Sequence, residues 1–151
     1  MIYLGADHRG YQLKEEIKLY LKEKKIKFID LGNDHYDEND DYVDFALAVA
    51  KKVSSEKKSF GILICGSGIG MSIVANKFKN IRAGLCLSPW LVKDARKDDD
   101  INILCLAADY TDPGTAIRIV EVFLKTDFEE AERRIRRIKK IKEIEKKLKI
   151  S

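Results

Sequence analysis

The chain of 151 residues has little of several features that often announce a function. No apolar run approaches the roughly 20 residues that a membrane span needs, and the opening MIYLGADH is too short and too acidic for a signal peptide. A soluble, cytoplasmic protein without a membrane partner is expected. Cysteine is scarce: Cys65, Cys86 and Cys105 each sit in an apolar segment, with neither the paired spacing of a metal site nor the density of a disulfide framework. No bound metal and a reducing compartment follow as expectations. Histidine occurs at His8 and His35 and nowhere later. The two prolines, Pro89 and Pro113, each follow a capping side chain, Ser88 and Asp112, and so mark helix starts.

What is present is apolar periodicity. A hydrophobic content of 45% over this length supports one good core and one domain over 1–151. Strand-like runs at 1–6, 27–32, 60–65, 82–87 and 102–107 alternate with segments of helical period, such as Leu13, Ile17 and Leu21 on one face. That alternation predicts a single-domain, three-layer α/β/α Rossmann-like fold around a five-stranded parallel sheet. A long C-terminal helix is expected at about 128–149, capped by Asp127 with Glu130. Its stripe of Ile135, Ile138, Ile141, Ile144 and Leu148 wants a partner surface, either its own sheet or a second subunit. The net charge of +4 conceals a split, because Arg133 to Lys149 holds ten basic residues against two acids. Without interleaved aromatics or glycines this run reads as a solvated helix face, and no nucleic-acid partner is expected.

In an open parallel sheet, ligands bind at the loops after the strands' carboxyl ends. One of these is the glycine loop of FGILICGSGIGMSIVANK, residues 60–77. The spacing Gly66, Gly68, Gly70 is not the dinucleotide fingerprint, whose third glycine comes one residue later. It makes a sharp strand-to-helix turn whose bare amides favour an anion. Cys65 stands beside it, where a helix N-terminus would make a thiolate available as base or nucleophile. By position alone, Cys65 reads equally as the end of a buried strand.

GADHRG, DYVDFA, the glycine loop with Ala75-Asn76-Lys77, IRAG and an arginine-rich last helix, in this order, resemble the type B ribose-5-phosphate isomerases and the related galactose-6-phosphate isomerases. The resemblance implies a cofactor-free aldose–ketose isomerisation through an enediolate. It makes Cys65 the general base, the N–H groups of Gly66, Gly68, Ile69 and Gly70 an anion hole, and Ser67 a shuttle for the hydroxyl proton. Some members carry a Glu base at the place of Met71, a role Met71 cannot take. Asp7 and His8 match the pair that holds sugar hydroxyls and phosphate; as plain residues they read as a helix cap and a loop histidine. Tyr42 matches a pocket tyrosine, and equally suits a core aromatic. Arg133 and Arg137, on one helical face, match a phosphate clamp, with salt bridges to Glu129 or Glu130 as the alternative.

Three positions depart from that pattern. Asp98 and Asp99 stand where a His-Asn pair usually enters from the partner of a dimer to open the sugar ring, and Asp109 stands where an arginine commonly meets phosphate. All three add negative charge. The resemblance still implies a homodimer or dimer of dimers with sites at the interface, Asp98 taking over ring opening and Asp99 contacting substrate, at reduced activity. A cysteine-bearing subunit of a heteromeric galactose-6-phosphate isomerase, or a sugar-phosphate binder without turnover, are the alternatives.

Overall fold

The structure, a computed structural model, describes residues 1–149. The five apolar runs become five parallel strands: β1 (Ile2–Ala6), β2 (Phe28–Asp30), β3 (Phe60–Cys65), β4 (Ala83–Leu85) and β5 (Ile103–Ala107). Around them run α1 (Tyr11–Glu23), α2 (Tyr42–Ser55), α3 (Ile69–Ala75), α4 (Pro89–Asp99), α5 (Pro113–Lys125) and α6 (Glu132–Lys147). The order across the sheet is β2-β1-β3-β5-β4. The three inner strands are buried almost throughout, which is why they read as unbroken apolar runs and not as alternation. The two edge strands are shorter than their apolar runs, having a neighbour on one side only.

Helices cover both faces, giving the three layers anticipated from sequence. Leu13, Ile17 and Leu21 of α1, Val92 of α4, and Ile119 and Phe123 of α5 pack on Ile2, Leu4 and Ile62. On the opposite face, Val49 and Val53 of α2 and Met71 and Ala75 of α3 pack on Tyr3, Leu63 and Cys105. The proline-marked helix starts form as read: the Ser88 hydroxyl accepts from the Leu91 amide at 3.1 Å, and the Asp112 carboxylate from the Thr115 amide at 3.0 Å.

The last helix departs from expectation at its start. It begins at Glu132 and not near 128, with extended Ala131 as N-cap and no side-chain capping bond, so the Asp127–Glu130 pair does not form. The segment before it is drawn toward α4: the Glu129 amide donates to the Lys97 carbonyl at 3.1 Å, and the Glu129 carboxylate meets Lys97 and Arg134. Of the apolar stripe, Ile138 is buried, while Ile144 (53%) and Leu148 (67%) stay exposed. The final two residues of the expected domain lie outside the described residues. Among the described residues no helix is long and apolar enough to cross a membrane.

One consequence of the strand order positions the site. β1 and β3 are neighbours, but the helices that follow them, α1 and α3, leave to opposite faces. Their carboxyl ends therefore border a crevice.

Candidate active site

At the end of β1 the turn 7–10 lies directly on β3. A Cβ at Gly10 would run into the carbonyl of Ile64, so only glycine permits this approach. The Asp7 amide donates to Ile64 O at 3.3 Å, and the Asp7 carboxylate accepts from the Gly10 amide at 3.0 Å. Asp7 is thus a turn brace and a buried acid at the crevice at once; burial raises its pKa above the usual carboxylate range, though the Gly10 bond opposes this.

His8 follows, held from the acidic loop. Asp40 Oδ1 accepts from the His8 backbone amide at 3.0 Å and lies 2.8 Å from His8 Nδ1, while Asn33 Nδ2 donates to Asp40 Oδ2 at 2.8 Å. The Tyr36 ring stands edge-on to the imidazole, centroids 6.1 Å apart. The hydrogen bond to Asp40 raises the His8 pKa above its ordinary value. Asp7, His8 and Asp40 offer three potential metal-ligand atoms within 4.8 Å of one another, and the contacts above account for those atoms as a hydrogen-bond network.

At the end of β3, Cys65 is 5% exposed. Gly68 takes a left-handed φ of 71°, which turns its amide back to donate to Cys65 Sγ at 3.1 Å. The Ile69 amide donates to the Ser67 hydroxyl at 3.3 Å, so two of the amides expected to bind an anion are engaged by the loop's own side chains. Tyr42, first residue of α2, lays its ring against Gly70, where a Cβ would come within 2.6 Å of Cε2. Burial pushes the Cys86 thiol up to about 11 and that of Cys105 higher still, so both remain thiols.

Asp109, at the end of β5, does not face the crevice as a bare negative charge. It forms an ion pair with Arg9, and the pair lies over Gly66, where a Cβ would be 2.5 Å from Arg9 Cζ and 2.7 Å from Asp109 Oδ2. Sequence reading saw Asp109 but missed its partner, 100 positions away in the chain. It also missed Asp40 and Asn33, whose only signal was an acidic loop just ahead of Tyr42.

The remaining expected site residues lie elsewhere in the chain. Asp98 and Asp99 end α4, which precedes β5, so they sit at the pole where strands begin, whereas Cys65 ends β3. Five strand residues separate the poles, roughly 16 Å. Asp98 is held there by Arg134 at 2.6 Å. Arg133 and Arg137 are exposed near that same pole, and Glu129 pairs with Arg134 in place of either. One chain therefore brings together Asp7, His8, Tyr42, Cys65, Ser67 and the glycines, and leaves Asp98, Asp99, Arg133 and Arg137 far from them.

Residues 2–141 match the Ribose/Galactose Isomerase family. The chain belongs to that family. Among its relatives in the Ribose/Galactose Isomerase family, a probable ribose-5-phosphate isomerase B of Mycoplasma genitalium is 44% identical over 137 residues, covering 89% of this chain and 90% of the relative. A putative sugar phosphate isomerase of Bacillus subtilis is 42% identical, covering 84% and 85%. In structure, the ribose-5-phosphate isomerase B of Mycoplasma genitalium with bound ribulose-5-phosphate superposes with a TM-score of 0.92 at 44% identity, covering 96% of this chain and 95% of that one. The Clostridium thermocellum ribose-5-phosphate isomerase B gives 0.92 at 43%, covering 97% and 98%.

Proposed function

We propose that this chain, as one isomerase domain over 1–151, interconverts ribose 5-phosphate and ribulose 5-phosphate in the cytoplasm, with Cys65 as the base. The reading is carried by the sulfur at the β1/β3 crevice with the Gly68 amide aimed at it, in a chain that shares nearly its full length with ribose-5-phosphate isomerase B proteins. In the aldose-to-ketose direction the Cys65 thiolate takes the proton from C2, the C2–H electrons form the C1–C2 double bond, and the carbonyl oxygen on C1 gains charge. The Gly66 and Gly70 amides, which the loop's own side chains do not engage, oppose that charge. Ser67 moves a proton between the two oxygens, and the Cys65 thiol returns its own to C1. Water attack is not required, which suits a sulfur at the edge of a packed core.

The reading requires a second copy. Asp98, to accept the anomeric hydroxyl proton in ring opening, Asp99 to contact the sugar, and Arg133 with Arg137 on the phosphate must come from the partner, since each chain holds them at the wrong pole. The surface beside edge strand β4 supports such a homodimer: Ile69 and Ile73 of α3, Leu87, and Trp90 and Leu91 of α4 are all about half exposed or more. Apolar surface of this kind on the two helices that flank the edge strand, and on the loop after it, favours burial against a like face.

The test is replacement of Cys65. Cys65→Ala is expected to lower kcat for ribose 5-phosphate by at least about a hundredfold with an unchanged circular dichroism spectrum. Undiminished turnover in that variant would remove the sulfur from the reaction.

A further inference from the structure

We infer that Asp40 is the positioning residue of this site: it holds His8 with Nδ1 protonated and turned inward, and so commits the other ring nitrogen, Nε2, and a positive imidazolium to the substrate's phosphate. The inference rests on the sugar-phosphate reading above, but its geometry stands independently of that reading.

Three donors converge on one buried carboxylate. The Asp40 side chain is 6% exposed, and it accepts from the His8 backbone amide, from His8 Nδ1 and from Asn33 Nδ2. The two bonds from His8 fix both the main chain and the ring of the same residue, which leaves the imidazole no rotation without breaking one of them. Asn33 fixes the carboxylate in turn. A carboxylate accepting from Nδ1 sets the tautomer and stabilises the charged ring, in the manner by which second partners orient catalytic and metal-binding histidines. The His8 side chain is about a quarter exposed, so part of it is open to a ligand.

The groups around His8 account for its charge. Asp40 and Asp7 favour the imidazolium, Arg9 opposes it, and the edge of the Tyr36 ring packs on it without charge. Two carboxylates against one guanidinium leave His8 charged to a higher pH than an ordinary histidine. The Arg9 guanidinium is itself engaged by Asp109 over Gly66. Within a single chain, then, His8 is the cation at the crevice whose charge is set by its braces, and Asp40 is what sets it.

The experiment is an imidazole NMR titration of the protein and of Asp40→Asn, with His35→Gln to assign the two histidine signals, alongside pH profiles of kcat and KM for ribose 5-phosphate. His8 is expected to titrate above the ordinary histidine value in the parent protein, and Asp40→Asn to lower that midpoint. The same substitution is expected to raise KM about tenfold near neutral pH, more than it lowers kcat, and to move the alkaline rise of KM to lower pH by the same step. A structural role alone would not move the two midpoints together. A His8 midpoint at or below the ordinary value in the parent protein, or an unshifted KM profile in a folded Asp40→Asn protein, would overturn the inference. Should the parent protein not turn over ribose 5-phosphate, the functional reading fails. The brace is then decided by the NMR titration, and the phosphate assignment by whether inorganic phosphate shifts the His8 midpoint upward.

Discussion

At the scale of the residue, the three aspartates that depart from the family pattern have different fates. Asp109 is neutralised by Arg9, which crosses from the end of β1 to the end of β5. A charge that looked adverse in the sequence is thereby half of a pair placed over Gly66. Asp98 is held by Arg134, whose guanidinium also meets Glu129, and Asp99 is exposed at the end of α4. The pair ties the Asp98 carboxylate to α6, where it is less free to reach a sugar hydroxyl. Asp98→His is therefore expected to raise kcat/KM for ribose 5-phosphate, with the gain largest in a stopped-flow assay started from ring-closed sugar. Equal or lower kcat/KM would mean that ring opening does not limit this protein. Cys65 stood out in the sequence by its place between a strand end and a glycine loop, whereas Asp7, His8 and Tyr42 were singled out only by the family resemblance. Asp40 and Arg9 were marked by neither, since their partners lie 32 and 100 positions away and nothing local announces the contact.

At the scale of the element, apolar runs and caps carried most of the fold. Unbroken runs gave the inner strands, and the two cap-proline pairs gave the starts of α4 and α5. The start of α6 was misjudged because Glu129 is taken by Lys97 and Arg134 of neighbouring elements, a tertiary contact that outweighs a local capping pattern. Another element contact hidden from the sequence is Lys14, on the inner face of α1 and fully buried. Its ammonium meets Asp30 at the end of β2 at 2.6 Å and the Asn33 carbonyl at 2.8 Å. Burial works against ionisation of Asp30, but the bonds from Lys14 and Lys18 outweigh it and hold its pKa below the usual range. A depressed pKa contributes stability that is complete above the unfolded value near 4 and is lost as pH falls through the folded one. Asp30→Asn is thus expected to unfold more readily than the parent protein at pH 7 and to show a shallower fall of urea midpoint between about pH 5 and pH 2. Glu15, lowered by the same lysines, keeps the fall from vanishing. An acid limb identical to that of the parent would show that Asp30 does not carry it.

At the scale of the whole molecule, the fold divides the expected site between two poles. The crevice pole holds the sulfur, the glycine loop and the braced histidine; the opposite pole holds Asp98, Asp99 and the exposed arginines of α6. Sequence order could not reveal this division, because the position of α6 along the edge depends on contacts with α4 and with the Asn80 turn, whose amide donates to Glu145 at 3.1 Å. The measurement that bears most directly on the account pairs two damaged subunits. One carries Cys65→Ala, the other Arg133→Ala with Arg137→Ala, and the heterodimer is purified from co-expressed, differently tagged chains. Two chains that share their sites leave one site with every residue intact and one with neither set, so the heterodimer should turn over subsaturating ribose 5-phosphate at about half the rate of the parent dimer, while each homodimer is nearly inactive. A heterodimer no more active than the homodimers would contradict a site built from Cys65 of one copy and the arginines of the other.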